Sequence, residues 1–163
     1  MQIRKIYEYA LQREEEGKRF FEQNAGRFGH AAAVGVFKNL ALEEQKHIEF
    51  INHQLKNLDR DDSALDSSGE GMKDPNFFLK KAESELIDQT VLQSLVPVLP
   101  ILRMAYLIER DFAEFYRMAA ARVEGKAKQA LGMLALWETG HENLFKNLHD
   151  RAFEEYAQMP WGG

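Results

Sequence analysis

The chain has 163 residues, a formal net charge of −5 and 45% hydrophobic residues. That is enough for one domain with a substantial core, and the negative balance argues against a nucleic acid as main partner. It contains no cysteine, which excludes disulfides, thiol catalysis and any cysteine-ligated metal centre within these residues and fits a cytoplasmic setting.

The opening stretch "MQIRKIYEYALQREEEG" has helical spacing and lacks the apolar core of a signal peptide. Nowhere does an apolar run approach the roughly 20 residues of a membrane span. "NAGRFGH", residues 24–30, separates the first helix from the second. Residues 58–76 are polar, bear Gly and Ser and show no periodicity, which predicts a loop. The acidic groups there lack the glycine and closing glutamate of a calcium loop. Residues 77–95 predict an additional helix with Asn76 as candidate N-cap. Pro97 and Pro100 then mark a break or the first turn of the next helix. "VEGKAK", residues 123–128, ends the third main helix, and the fourth runs to about Tyr156 before the tail "MPWGG". The expectation is an all-α four-helix bundle forming a single domain, 1–163. A helix pair (1–57) and a second pair (98–153) flank a long crossover connection (58–97), and 154–163 is a tail.

Each long helix carries a stripe at spacings of three and four that faces its neighbours. In the first it is Ile3, Tyr7, Ala10, Glu14, Gly17, Phe21 and Asn24. In the second it is His30, Ala33, Phe37, Leu40, Glu44, His47, Ile51, Gln54 and Leu58. In the third it is Leu102, Ala105, Glu109, Phe112, Tyr116, Ala119 and Val123. In the fourth it is Leu131, Leu134, Glu138, His141, Phe145, Leu148 and Ala152. Near its middle each stripe is interrupted by ligand-type residues. Within "LALWETGHENLF", where Leu134, Leu136, Trp137, Leu144 and Phe145 are expected to be buried, Glu138 and His141 stand on the apolar face. A three-residue step turns a helix by ~300° and climbs ~4.5 Å, so Glu-x-x-His projects both side chains from one face.

The pattern is an internal duplication. Glu44 and His47 recur 94 residues later as Glu138 and His141, and Glu14 recurs 95 residues later as Glu109. Phe21 and Tyr116 each follow their glutamate by seven residues. One unpaired carboxylate in a core costs several kcal/mol, against a total stability of ~5–15 kcal/mol. Two divalent cations would neutralise four carboxylates, with two imidazoles completing the coordination. Oxygen-rich sites with one imidazole per metal suit iron or manganese. The bland alternative is a bundle that keeps its glutamates as a buried hydrogen-bonded network.

Other residues read more simply. Glu15 and Glu16 are surface charges, Glu43 and Glu142 exposed neighbours of ligands, and His53 and His149 lie off the stripes. His30 sits near a helix end and is read as a cap or as exposed. Tyr7 and Tyr116 either donate a hydrogen bond to a ligand carboxylate, relay an electron, or are satisfied core tyrosines. Met104, Met118 and Met133 read as core filler. Phe77, Phe78 and Trp161 read as core or as a dimer contact.

The segments "EEEGKRFF", "EEQKH", "ERDFAEFY" and "ETGH" resemble the ferritin-like superfamily, and most of all its rubrerythrin branch in single-domain form, over nearly the whole chain. The resemblance implies a ferritin-like bundle with a non-haem di-iron centre at Glu14, Glu44, His47, Glu109, Glu138 and His141, in which Glu44 and Glu109 or their counterparts bridge the metals. It implies two iron ions, with manganese as an alternative, and no haem, flavin or nucleotide. The implied function is reduction of hydrogen peroxide or O2 in oxidative-stress defence. Electrons would come from an external donor such as a rubredoxin, and the chain would form a homo-oligomer, a dimer first, with no nucleic-acid or membrane partner. Alternatives are a ferroxidase or iron-handling protein acting on Fe2+, a di-manganese catalase-like centre, and a structural bundle with a vestigial site. Two departures stand out: peroxide-reducing relatives usually carry an iron–cysteine rubredoxin module, for which this sequence has no cysteine, and Phe112 occupies the position, three residues after the third-helix ligand, where they tend to carry a further glutamate. Phe21 also stands where many relatives have tyrosine.

Overall fold

The computed structural model describes residues 2–60, 75–85 and 88–160, the side chains of residues 75–78 and 85 excepted. All regular structure among them is helical. α1 (Gln2–Asn24) leads through a 3₁₀ turn (Ala25–Arg27) into α2 (Ala31–Arg60). α3 (Pro75–Glu85) and α4 (Gln89–Leu95) follow, then a second 3₁₀ turn (Val96–Val98), α5 (Leu99–Ala120) and α6 (Gly125–Gln158). The expected all-α bundle is what forms.

The short links return each helix beside its predecessor. Arg4 near the start of α1 pairs with Asp59 near the end of α2, and Lys18 Nζ donates to Gln45 Oε1 at 2.8 Å midway, so the pair runs antiparallel. His30 caps α2, its Nδ1 accepting from the Ala32 N–H at 3.2 Å, in line with the capping role read for it. α5 and α6 form the second pair, with Arg117 Nη1 donating to Thr139 Oγ1 at 3.3 Å. α6 starts on Gly125 at φ +63°, a left-handed conformation open to glycine without a Cβ penalty. The junction thus falls earlier than residues 123–128 suggest: α5 is complete at Ala120, and Lys126 and Lys128 belong to α6.

The connection differs from the single helix expected over residues 77–95. Helix begins at Pro75, which suits a first turn, so Asn76 lies inside the helix and is not its N-cap. A separate helix starts at Gln89 because Asp88 caps it, its carboxylate accepting from the Thr90 N–H at 2.7 Å. That hydrogen bond holds the Asp88 carboxyl below its ordinary pKa. Pro97 falls in the 3₁₀ turn and Pro100 in the first turn of α5, as the sequence suggests. The loop assigned to residues 58–76 starts late, since α2 continues to Arg60. Residues 61–74, the side chains of Phe77 and Phe78, and Trp161 lie outside the described residues.

The stripes bury as drawn, except at their ends. Every member on α5 and α6, and Val123 just beyond α5, is buried. On α1 burial runs from Tyr7 to Phe21, and on α2 from Ala33 to Ile51, while Leu58 at the end of α2 is exposed. Three apolar residues expected inside point outward: Leu136 is 71% exposed, Met118 58% and Met104 53%. Each follows a stripe member (Leu134, Tyr116, Leu102) by two residues, about 200° around the helix. One expectation about apolar runs also needs correction. The stretch 89–120 is long and apolar enough by composition to cross a membrane. Here it is broken at Val96–Val98, and α5 turns its most apolar side to α6.

The core divides into two apolar clusters. One contains Phe21, Phe37, Leu40, Leu102, Leu144 and Phe145 and is roofed by Val91, Leu92 and Leu95 of α4. The other contains Tyr7, Ile51, Phe112, Tyr116, Leu131, Leu134 and Trp137. Burying each large side chain contributes about 1.5–3 kcal/mol. Between the two clusters lies the level at which all four stripes turn polar.

Candidate metal centre

Glu14 from α1, Glu44 and His47 from α2, Glu109 from α5, and Glu138 and His141 from α6 are the buried polar and charged side chains among the described residues, none more than 4% exposed. The sequence reading named these six, and the bundle brings all of them together. They form two overlapping groups, each with candidate ligand atoms within 4.8 Å of one another. Glu14, Glu44, His47 and Glu138 make one, and Glu44, Glu109, Glu138 and His141 the other.

Glu44 and Glu138 belong to both groups, and each turns one oxygen toward each half. His47 Nδ1 lies 3.6 Å from Glu44 Oε2, 2.9 Å from Glu138 Oε1 and 3.2 Å from Glu14 Oε2. His141 Nδ1 lies 3.4 Å from Glu44 Oε1, 3.4 Å from Glu138 Oε2 and 3.8 Å from Glu109 Oε2. The resemblance implied Glu44 and Glu109, or their counterparts, as the shared pair; here Glu44 and its own repeat counterpart Glu138 belong to both groups. Glu109 faces only one half, because it is the repeat counterpart of Glu14.

The electrostatics are those of four acids crowded out of water. Burial, then Glu138 and Glu44, push the Glu14 carboxyl well above the usual carboxylate range. Burial, then Glu44 and Glu138, do the same to Glu109. Burial also opposes charge on Glu44 and Glu138, but the two imidazoles outweigh it, lowering Glu44 and holding Glu138 well below the ordinary value. Burial disfavours imidazolium at His47, yet Glu138, Glu14 and Glu44 prevail and raise its pKa strongly. At His141 burial is likewise outweighed, by Glu109, Glu138 and Glu44.

Even so, the oxygens of Glu44, Glu109 and Glu138 have no well-aligned hydrogen bond; their nearest donors are the two imidazole nitrogens, at 2.9–3.8 Å. Each buried polar group left this way costs about 1–3 kcal/mol, more when charged. The protein's own groups do not supply these oxygens with aligned donors. Divalent cations with oxygen-rich coordination fit them, and His47 and His141 present the nitrogens to complete two positions.

Around the six, Tyr116 and Tyr7 separate. The Tyr116 hydroxyl donates to Glu14 Oε1, and burial, then Glu14, hold its pKa well above the ordinary tyrosine value. Tyr7 is buried in the adjacent apolar cluster, and burial pushes its hydroxyl up to about 12.

Some neighbours were not legible beforehand. Trp137, read only as a core residue, stacks on the His47 ring at 5.3 Å between centroids and 13° between planes, and His47 stacks in turn on His141 at 5.5 Å. Its place directly before Glu138 was the available signal. Phe112 fills the space beside Gly17. A Cβ on Gly17 would stand 3.1 Å from the Phe112 ring and 3.7 Å from Glu44 Oε2, while the Arg13 guanidinium lies over the ring at 5.2 Å. Gly140, next to His141, admits Leu79 of α3, whose Cδ1 would lie 2.7 Å from a Cβ at that position.

Comparison with known proteins agrees with this geometry. No curated protein and no solved structure matches the chain. The family model described as Rubrerythrin matches residues 5–149, a span that takes in all six clustered residues and most of both helix pairs. The chain belongs to the rubrerythrin family.

Proposed function

We propose that this protein is a dinuclear metal carboxylate oxidoreductase that reduces hydrogen peroxide or O2 at a di-iron centre. Glu14, Glu44, His47 and Glu138 would hold one ion, and Glu44, Glu109, Glu138 and His141 would hold the other. The observation that carries the reading is the split of the two shared carboxylates, each with one oxygen in either half and neither oxygen satisfied by the protein. When loaded with ferrous ions, the centre supplies two one-electron reductants side by side, as two-electron reduction of an O–O bond requires.

The chain's own residues do the rest. Four carboxylates match the charge of two divalent ions. The apolar clusters on either side exclude bulk water, which strengthens every interaction inside. Tyr116 holds the Glu14 carboxylate in place. This sequence has no cysteine, so the electrons arrive from outside these 163 residues. Anaerobic reconstitution with Fe2+ followed by stopped-flow mixing with peroxide tests the proposal. Two irons per chain and oxidation much faster than that of free ferrous ion are expected. Oxidation at the free-ion rate would refute it.

One observation favours a second reading, oxidation of iron as substrate. Phe112 is a buried apolar residue beside Glu44, so the centre has six ligand residues and no added carboxylate on that side. Repeated turnover of added Fe2+ by O2, without an electron donor, would select this reading over peroxide reduction.

A further inference from the structure

The duplication makes the two halves of the centre alike in ligands, but their surroundings differ. Glu14 is held by two donors, the Tyr116 hydroxyl on Oε1 and His47 Nδ1 on Oε2. Its repeat counterpart Glu109 has no tyrosine donor, and the nearest imidazole nitrogen, His141 Nδ1, stands farther off, 3.8 Å from its Oε2. The reason is in the sequence. The residue matching Tyr116 in the first repeat is Phe21, which has no hydroxyl and packs against Phe37 and Phe145. The imidazole of the first half is also braced by the indole of Trp137, nearly parallel to it, while the residue matching Trp137 in the first repeat is Glu43, paired with Lys46 at 2.6 Å.

We infer that the two metal positions are unequal: the one completed by Glu14 and His47 fills first and retains its ion, and the one completed by Glu109 and His141 is the exchanging position. The inference rests on the dinuclear reading above. A ligand whose orientation is fixed in advance loses less freedom on binding, and outer-shell hydrogen bonds to ligands are typically worth 10–100-fold in metal affinity. When an ion takes His47 Nδ1, Glu14 keeps the Tyr116 donor, whereas Glu109 must be ordered by the ion itself. Tyr116 is therefore a positioning residue for one half of the centre. A resident ion beside an exchanging one also suits iron that enters and leaves by a single position.

The test is a calorimetric titration of the metal-free full chain with Co2+. Wild type should show two phases, a tight first equivalent and a second at least about tenfold weaker. Glu109→Gln should keep the tight phase and lose the weak one, and Glu14→Gln should do the reverse. Tyr116→Phe should weaken the tight phase about tenfold and leave the second unmoved, a selective effect that general loosening of the fold would not give. Overturning results are a single phase of two equal equivalents in wild type, a tight phase that survives Glu14→Gln, or equal weakening of both phases in Tyr116→Phe. Should wild type bind no cobalt by equilibrium dialysis, the dinuclear reading itself falls. Two bound ions of equal affinity would sink only their ranking.

Discussion

Stripping metal from the loaded protein should expose the cost of its acidic centre. With free metal at a hundred times the dissociation constant, each occupied position adds about 2.7 kcal/mol to folding, so two positions add about 5 kcal/mol. For a chain of this length each kcal/mol moves Tm by about 2–4 °C, giving a fall of roughly 10–20 °C on chelation. The gap should also depend on pH. In the metal-free protein Glu14, Glu109, His47 and His141 have pKa values above their ordinary ones. Each binds its proton more tightly folded than unfolded, so its contribution is full below the ordinary value and fades as pH rises through the raised one. Glu44 and Glu138 are lowered, so theirs is present above the ordinary carboxylate value and fades only as pH falls through the lowered one. Metal-free protein should therefore lose Tm as pH climbs above the ordinary histidine value of 6.5. Loaded protein should not, since metal binding favours deprotonated ligands. Differential scanning calorimetry with and without chelator, at pH values on both sides of 6.5, reads both effects. Superimposable melting curves across that range would refute the argument that cations relieve the centre.

Other outcomes follow from the same geometry. Glu44→Ala removes a carboxylate shared by both positions and should leave at most one metal per chain by elemental analysis, whereas full occupancy would contradict that sharing. Leu134→Ala should cost about 2–5 kcal/mol in chemical denaturation, while Leu136→Ser, two residues on and facing solvent, should stay within about 0.5 kcal/mol of wild type. Gly17→Ala gains up to about 1 kcal/mol of helix propensity but drives a methyl into the Phe112 ring, an overpacking cost of about 1–3 kcal/mol. The net is destabilising, and adding Phe112→Leu should relieve it.

What could be read in advance follows from what a helix makes periodic. Glu14, Glu44, His47, Glu109, Glu138 and His141 lie on three-and-four stripes, and repetition at 94 and 95 residues ties the two halves together, so their convergence was legible. Leu136, Met104 and Met118 were misjudged because hydrophobicity outweighed phase: each lies two residues past a buried neighbour. The break before Gln89 was missed because it rests on one Asp88 cap, with no glycine or proline to mark it. The contacts of Tyr116 with Glu14 and of Trp137 with His47 join residues 102 and 90 positions apart, and register between distant helices is set by packing that local periodicity does not encode. Which glutamates are shared was left open for the same reason.

The exchange of Glu44 and Glu138 across the bundle has a consequence for how this architecture is assembled. Neither hairpin carries all the residues of either candidate group; each lends one acid to the group that the other chiefly supplies. Two identical hairpins of the first type, brought together about a twofold axis, would recreate the same inventory of four acids and two imidazoles. A metal held here would therefore tie the two hairpins together, while the repeat leaves its two halves free to differ at positions such as Phe21 and Tyr116.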